Sequence, residues 1–355
     1  MSRDIGIDLG TANVLIHLKG RGVILNEPSV VALDKRTQEV IAFGKEAYEM
    51  IGRTADTIEI IKPLQGGVIA DYDIAEAMLV LFFQKIYSQK WFVKPNVLIC
   101  RPSSISEIEQ TALVEAIEKV GGGRIFMEEE AKVAGVGAGI DLLDPSGNMV
   151  IDIGGGTTDV AIISAGEIIR STSLKLAGDD FDVSIIQYFK DNYKLLIGER
   201  SAEQIKIELS SAIFEADRSK LVTKTLKGRD LVTGLPKSIN VTSNHLYEAI
   251  HEQLNIVARS AKELLEDTQP EIASDIIEKG IILTGGGALI GSIDSFLSEY
   301  LGVSAIRAEQ PMNCVAIGTG MMLELIQSGK LQRTNLSRQE KIKRYFRRLK
   351  RRFFG

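Results

Sequence analysis

The chain has 355 residues, of which 45% are apolar and 25% charged, a composition typical of a globular protein. This composition excludes a disordered, a collagen-like and a disulfide-stapled chain, and the length is enough for two domains or one two-lobed fold. The longest apolar run, residues 77–83, is far shorter than the roughly 20 residues of a membrane-spanning helix. Cys100 and Cys314 lie far apart in apolar stretches, as buried thiols do. We therefore expect a cytoplasmic protein without a secretory leader.

The charge is distributed unevenly along the chain. Eight Lys and Arg residues fall within residues 341–355, and no acidic residue follows Glu340. The preceding 340 residues then carry 34 Lys and Arg against 47 Asp and Glu, about 13 net negative charges. An acidic body of this kind is not expected to bind nucleic acid.

Short apolar strands and amphipathic helices alternate along the chain, which predicts an α/β fold. Asp179, Asp180 and Ser201 are plausible helix N-caps. Residues 218–240 have the pattern of short strands and turns. Strands are predicted at residues 5–9, 14–18, 97–100, 149–153, 160–164 and 281–284. Helices are predicted at residues 74–87, 107–120, 181–193, 202–211, 245–265 and 290–300.

One pattern occurs twice. Residues 7–13 (IDLGTAN) and residues 151–159 (IDIGGGTTD) each combine a strand that ends in Asp with a Gly/Thr turn and a second strand. The two copies are roughly 144 residues apart, a domain-sized interval, and so predict two halves with similar cores. A third glycine turn, residues 283–288 (LTGGGA), follows a strand and precedes a helix.

Glycine turns of this kind are suited to binding phosphate. Their backbone N–H groups can converge on an anion, and Thr11 and Thr157 add hydroxyl donors. Asp8 and Asp152 would repel phosphate but are well placed to hold water on Mg²⁺. Two facing turns would then clamp a triphosphate with its Mg²⁺, while the third would hold the nucleoside. The alternative is a set of ordinary tight hairpins, and the spacing matches neither the P-loop nor the Rossmann motif.

Seven stretches of the chain, spanning residues 4 to about 327, resemble the actin/Hsp70/sugar-kinase ATPases. Within that superfamily the chain is identified as a member of the MreB family of bacterial actins, and Glu128, Glu129 and Glu130 resemble its Mbl (MreB-like) branch. The resembling stretches are residues 5–17, 26–33, 67–71, 148–159, 228–236, 280–289 and 314–320.

The resemblance implies an actin-like α/β fold of two lobes around a nucleotide cleft. Lobe I would span residues 1–145 with a small subdomain at about 33–65, and lobe II residues 146–327 with a small subdomain at about 182–245. Residues 328–355 would form a linker and a membrane-binding tail. The implied function is an ATP- and Mg²⁺-dependent filament that guides cell-wall synthesis and sets rod shape. Its implied partners are further copies of itself, an anionic membrane surface, and cell-wall synthesis and morphogenesis proteins.

The resemblance also implies a set of site residues. In the family, a Glu before an Ala/Gly-rich helix orients the attacking water, and here the candidate is Glu130, with Thr157 holding a second water. The register is open, because Glu129 is also possible and Ala131 stands where relatives usually have Pro. The implied nucleotide-binding residues are Thr11, Ala12 and Asn13 in the first loop, Gly155, Gly156 and Thr157 in the second, Glu203, Gln204, Ile205 and Lys206 beside the nucleoside, and Gly286, Gly287, Ala288 and Leu289 beside the adenine.

Two segments are candidates for membrane contact. If residues 341–353 form a helix, the apolar side chains lie within a face about 100° wide and the eight basic residues lie opposite, a pattern typical of a helix at a membrane surface. An RNA-binding arm, a calmodulin-like target and a disordered tail are alternatives. Trp91 and Phe92 form a second candidate, with a buried Trp as the alternative. The apolar positions of the tail are Ile342, Tyr345, Phe346, Leu349 and Phe353.

These patterns favour a cytoskeletal ATPase, peripheral on the inner face of the cell membrane. Two other functions remain compatible with the sequence. One is a small-molecule kinase of the same superfamily, and the other is a nucleotide-binding scaffold without turnover.

Overall fold

The computed structural model describes residues 4–86, 94–101 and 106–331. The strands are β1 (Ile5–Leu9), β2 (Asn13–Leu18), β3 (Gly22–Pro28), β4 (Val31–Asp34), β5 (Val40–Phe43), β6 (Ile58–Ile61), β7 (Leu64–Gln65), β8 (Val68–Ile69), β9 (Val97–Arg101), β10 (Ile125–Glu129), β11 (Asn148–Ile153), β12 (Thr158–Ser164), β13 (Glu167–Leu174), β14 (Leu195–Leu196), β15 (Thr223–Asp230), β16 (Pro236–Thr242), β17 (Ile281–Thr284) and β18 (Ala305–Arg307). The α-helices are α1 (Lys45–Met50), α2 (Tyr72–Ile86), α3 (Glu107–Lys119), α4 (Glu130–Gly137), α5 (Gly178–Tyr193), α6 (Glu199–Leu209), α7 (Ser243–Glu266), α8 (Pro270–Lys279), α9 (Ile293–Leu301) and α10 (Cys314–Gln327).

The two large sheets have the same topology. The first has the strand order β10-β9-β1-β2-β3, and the second has the order β18-β17-β11-β12-β13. In each, a three-stranded antiparallel meander carries two further strands parallel to its first strand. Strands such as β11 are buried along their whole length, which explains their continuous apolar sequence. The predictions of an α/β fold and of two similar halves are confirmed.

A smaller sheet accompanies each large one. The order β5-β4-β6 lies within residues 31–61, after the first meander, and β14-β15-β16 lies within residues 195–242, after the second. The second small sheet is mainly a hairpin of β15 and β16 that turns at Gly234, with φ 73°. This agrees with the strands and turns predicted for residues 218–240.

Helices α4 and α10 join the two halves. Their side chains, with residues of both large sheets, form a core separate from the core of each half. The two helices approach closely because glycines face the partner backbone. A Cβ on Gly318 would lie 1.9 Å from the Val133 carbonyl oxygen, and one on Gly137 would lie 1.8 Å from that of Cys314. Any larger residue at either position would force the helices apart.

Three local predictions were wrong. Asp179 and Asp180 lie in the first turn of α5, because the helix begins one residue earlier at Gly178, whose small size lets it contact the Gly154 carbonyl. Ser201 lies inside α6, which is preceded by Gly198. The helix predicted at residues 290–300 begins at Ile293, because the third glycine turn forms a separate 3₁₀ turn first.

The membrane candidates lie outside the described residues. They are Trp91, Phe92, Ile342, Tyr345, Phe346, Leu349 and Phe353.

We predict that Gly318→Ala lowers the free energy of unfolding by at least about 2 kcal/mol, because the added methyl overlaps the Val133 carbonyl. Helix propensity alone predicts the opposite sign, a gain of about 1 kcal/mol. Met321→Ala, at an exposed position of the same helix, should change stability by less than about 0.5 kcal/mol. Urea unfolding of both variants tests this, and a stabilised Gly318→Ala would contradict the close helix contact.

Candidate functional site

The two Gly/Thr turns face each other across a cleft of about 250 Å³ between the two halves. A Cβ on Gly155 would lie 2.6 Å from the Ala12 side chain, and one on Gly156 would lie 2.5 Å from the Thr11 hydroxyl. The turns are therefore in contact through backbone and small side chains. Glycine is needed at both positions because the facing turn occupies the space that a side chain would take, and both turns also line the cleft.

Neighbouring elements hold both turns in place. In the first, the Ser29 hydroxyl donates to the Gly10 carbonyl (2.7 Å), and the Gly67 N–H donates to the Thr11 hydroxyl (3.1 Å). In the second, the Asp179 N–H at the start of α5 donates to the Gly155 carbonyl (2.8 Å). In all three bonds the turn supplies the acceptor, a carbonyl or a hydroxyl oxygen. These bonds therefore orient the turns without using the backbone N–H groups that could bind a ligand.

Carboxyl groups lie behind the turns. Asp8 on β1 and Asp152 on β11 are buried, and Glu130 at the start of α4 is partly buried and also lines the cleft. Burial raises the pKa of Asp8 to about 8, with a further contribution from the Asp152 charge. Burial also raises the pKa of Asp152 to about 7, against a hydrogen bond from the Thr284 hydroxyl (2.7 Å). The Glu130 pKa is raised by burial and by the charges of Asp8 and Asp152.

The third turn forms the apolar end of the cleft. Gly285, with φ 79°, is required at its start, because the left-handed backbone brings the turn against the carbonyl of Ile153. Beyond it, Leu289, Met312 and Ile207 expose large apolar side chains along the cleft. An apolar wall beside polar loops is typical of a site for a ligand with a ring at one end and charge at the other.

Helix α6, which carries Ile207, also contributes polar side chains to the cleft. The Lys206 ammonium donates to the Gly178 carbonyl (2.6 Å) and lies 2.8 Å from an Asp182 carboxylate oxygen. Burial raises the Asp182 pKa to about 6, although Lys206 opposes this shift. The Tyr48 hydroxyl donates to Glu203 from the first small sheet's side of the cleft. The two halves therefore touch both at the loops and at the contact between Tyr48 and Glu203.

The three consecutive acids have different surroundings. Glu128 pairs with buried Lys132 (3.1 Å), and Glu129 pairs with Arg101 (3.5 Å). Of the three, Glu130 is the one that lines the cleft.

The cleft brings together most of the residues singled out from the sequence. Gln204, Ile205 and Ala288 do not line it: Gln204 is exposed and bonds Glu208, whereas Ile205 and Ala288 are buried in the core of the second half. The resemblance assigned all of residues 203–206 to the site, but a helix directs only some of its residues toward any one side. The predicted residues that line the cleft are Asp8, Thr11, Ala12, Asn13, Glu130, Asp152, Gly155, Gly156, Thr157, Glu203, Lys206, Gly286, Gly287 and Leu289.

Sequence reasoning missed other lining residues. Gly67, Asp179, Ile207 and Met312 also line the cleft. A signal existed for Ile207, because it lies four residues after Glu203 and so shares its helix face. Gly67 and Met312 come from distant loops, and no local pattern places them here.

Among the residues that the structure describes, no group of three or more His, Cys, Asp or Glu side chains is arranged to bind a metal ion. Within the same residues, none of the helices has the length and apolar character needed to cross a bilayer.

Sequence comparison places the chain among cell-shape proteins. The family model described as MreB/Mbl protein matches residues 2–331. The chain is 54% identical to the cell shape-determining protein Mbl of Bacillus cereus, over 92% of this chain and 97% of that protein. It is 42% identical to the cell shape-determining protein MreB of Escherichia coli, over 92% of this chain and 94% of that protein.

Structural comparison agrees. The crystal structure of MreB5 of Spiroplasma citri bound to ADP matches with a TM-score of 0.88 and 39% identity, over 93% of this chain and 98% of that one. A structure of the same protein bound to AMPPNP matches equally well, at 38% identity. The MamK double helical filament matches with a TM-score of 0.75 at 20% identity, over 90% of this chain and 98% of that one, a likeness of fold alone. The predicted actin-like fold is confirmed.

The raised pKa values of Asp8 and Asp152 predict that stability falls as pH rises. From about pH 4 the unfolded chain has released these protons, whereas the folded chain retains the Asp152 proton up to about pH 7 and the Asp8 proton up to about pH 8. The folded state then binds more protons, and the free energy of unfolding decreases by up to about 1.4 kcal/mol per pH unit for each carboxyl. Denaturant unfolding from pH 5 to pH 8, without divalent cations or nucleotide, measures the slope.

The double variant Asp8→Asn/Asp152→Asn should flatten this slope, and Asp56→Asn, at an exposed position, should leave it unchanged. A double variant with the wild-type slope would contradict the assignment to these two carboxyls.

Proposed function

The chain belongs to the MreB/Mbl family, and on this premise we propose that it is a cytoskeletal protein that binds and hydrolyses ATP and polymerises into filaments. The observation that carries the proposal is the pair of Gly/Thr turns in contact across the cleft, each backed by a buried carboxyl group. In the cell, the filaments would lie in the cytoplasm on the inner face of the membrane. There they would organise cell-wall synthesis proteins and set rod shape.

The cleft supports a specific placement of ATP. The phosphates would lie between the turns at Thr11–Asn13 and Gly155–Thr157, where backbone N–H groups and hydroxyls are available. The ribose would face Glu203 and Lys206 on α6. The adenine would lie between the third turn, with the exposed side chain of Leu289, and the exposed side chain of Ile207 on α6. The structures of MreB5 bound to ADP and to AMPPNP support nucleotide binding by a chain of this fold.

The residues present fit a magnesium ion. Asp8 and Asp152 are buried acids whose pKa values are raised chiefly by burial, and a cation would favour their charged forms. Two carboxylates without further direct ligands match the preference of Mg²⁺ for keeping several of its waters. When bound with ATP, the ion would neutralise charge that develops on the phosphates. Asp8 and Asp152 would fix its waters, and Thr284 would orient Asp152 through its hydrogen bond.

Hydrolysis would depend on positioning of the attacking water. Glu130 lines the cleft beside Asp8 and Asp152, and its raised pKa makes its carboxylate form a stronger base toward the attacking water. Thr157, on the second turn, would hold a second water. Glu129 is engaged with Arg101, which supports Glu130 for this role.

We predict that Glu130→Gln slows phosphate release from ATP at least tenfold while the dissociation constant for ATP changes by less than threefold. The amide keeps the shape of the side chain but cannot accept the proton of the attacking water. Glu129→Gln should alter the rate by less than twofold. Single-turnover phosphate release measures both rates. If Glu129→Gln released phosphate slowly and Glu130→Gln released it at the wild-type rate, Glu129 and not Glu130 would orient the attacking water.

Membrane attachment rests on the sequence of the basic tail. An apolar face with three aromatic residues, opposite eight basic residues, suits a helix lying in an anionic lipid surface. Each basic residue near such a surface contributes about 1 kcal/mol. Trp91 and Phe92, between Lys90 and Lys94, would add a second contact.

Electron microscopy of the purified protein on anionic lipid, with and without Mg-ATP, tests polymerisation and attachment together. We predict ATP-dependent filaments on lipid, and their detachment when the chain is ended at Ser337. Filaments that stay attached without the tail would transfer the membrane contact to Trp91 and Phe92. A protein that binds ATP but forms no filaments under any condition would favour the kinase or the scaffold.

A further inference from the structure

Lys132 is a buried lysine beside the proposed site for which the proposed function has no role. It lies on α4, two residues after Glu130, and is 2% exposed. Its ammonium group lies 3.1 Å from Glu128 and 3.8 Å from Glu167. Burying a lysine costs desolvation, and apolar residues of similar volume often replace a buried ion pair without loss of stability. Stability alone therefore does not explain why Lys132 is buried here, and its effect on the local geometry is considered next.

The ion pair spans the point where the chain changes from strand to helix. Glu128 is in the last part of β10, and Lys132 is in the first turn of α4, which begins at Glu130. Successive strand residues point to opposite sides, whereas helix residues rotate by about 100° each. The direction in which the Glu130 side chain points therefore depends on where the strand ends and the helix begins. The ion pair between Glu128 and Lys132 joins the last part of the strand to the first turn of the helix.

Lys132 also connects the two halves of the molecule. Glu128 belongs to the first large sheet, whereas Glu167 opens β13 in the second. The backbone next to Lys132 is held as well, because the Val133 carbonyl lies against Gly318 of α10. The segment that carries Glu130 is thus fixed from both sheets and from the neighbouring helix.

We propose that Lys132 is a positioning residue for ATP hydrolysis, whose ion pair with Glu128 directs the Glu130 carboxyl group into the cleft. This inference rests on the proposed function, in which Glu130 orients the attacking water. Lys132 itself lies outside the residues that line the cleft and acts through the backbone between Glu128 and the first turn of α4.

The test compares paired substitutions in the full-length protein. Glu128→Gln/Lys132→Met removes the ion pair without leaving a buried charge unpaired, and it replaces each side chain by an unbranched one of similar size. Glu76→Gln/Lys119→Met is the matched control, because it removes a 2.6 Å ion pair between α2 and α3, away from the cleft. Glu130→Gln is measured alongside. The readouts are single-turnover phosphate release, the dissociation constant for Mg-ATP and the melting temperature.

We expect the Glu128/Lys132 variant to release phosphate at least fivefold more slowly, with the ATP dissociation constant within threefold of wild type and a single cooperative melting transition. The control pair should keep the wild-type rate within twofold. A Glu128/Lys132 variant that hydrolyses ATP normally, while Glu130→Gln is slow, would overturn the role of Lys132 and leave the proposed function intact.

Two other results also decide the question. If the Glu128/Lys132 variant loses ATP affinity and thermal stability in parallel with rate, Lys132 is a structural residue only, and the inference is overturned. If Glu130→Gln hydrolyses ATP at the wild-type rate, the proposed role of Glu130 fails, and the positioning role of Lys132 fails with it.

Discussion

The burial of like charges at equivalent points of two similar sheets is the constraint around which the site is arranged. Asp8 and Asp152 are each the second-last residue of their strands, β1 and β11, and the contact of the two turns brings these strand ends into one cleft. Each carboxylate alone would lose solvation, and together they also repel, which is why their pKa values are raised. A fold that keeps such a pair is stabilised by any ligand that brings compensating positive charge. Ligand binding and the stability of the folded chain are therefore expected to be linked.

Helices α4 and α10 connect the two halves of the molecule by close packing. Helices α4 and α10 cross so closely that glycine is needed on both, and α10 also packs on β1, where a Cβ on Gly6 would overlap Thr319. Such a contact leaves little room for independent sliding, because packed interiors have few voids. The position of Glu130, the first residue of α4, therefore depends on how the two halves pack together. The same helix thus connects the shape of the molecule with the carboxyl group proposed to orient water.

The sequence predicted those parts of the fold that have a local pattern. Buried strands beside Gly/Thr turns are recognisable within about ten residues, so β1, β11 and their turns were found together with the internal repeat. The first small sheet was not predicted element by element, because β4, β5 and β6 are only four residues each, and β5 and β6 have few buried residues. The crossing of α4 and α10 joins residues nearly 200 positions apart, and nothing in either helix alone indicates its partner.

In the site, too, some side-chain directions follow from a local sequence pattern, whereas others depend on contacts between distant parts of the chain. The direction of each side chain on α6 follows from helical periodicity, which separates Glu203, Lys206 and Ile207 from the neighbouring residues. The run of three acids could not be resolved in this way, because strand and helix assign opposite directions to the residues at their junction. Its register depends on partners far away in sequence, Arg101 for Glu129 and, through Lys132, Glu167 of the other half. Identical residues in a row acquire different functions only through the surfaces that they meet, and for these three residues tertiary structure supplies those surfaces.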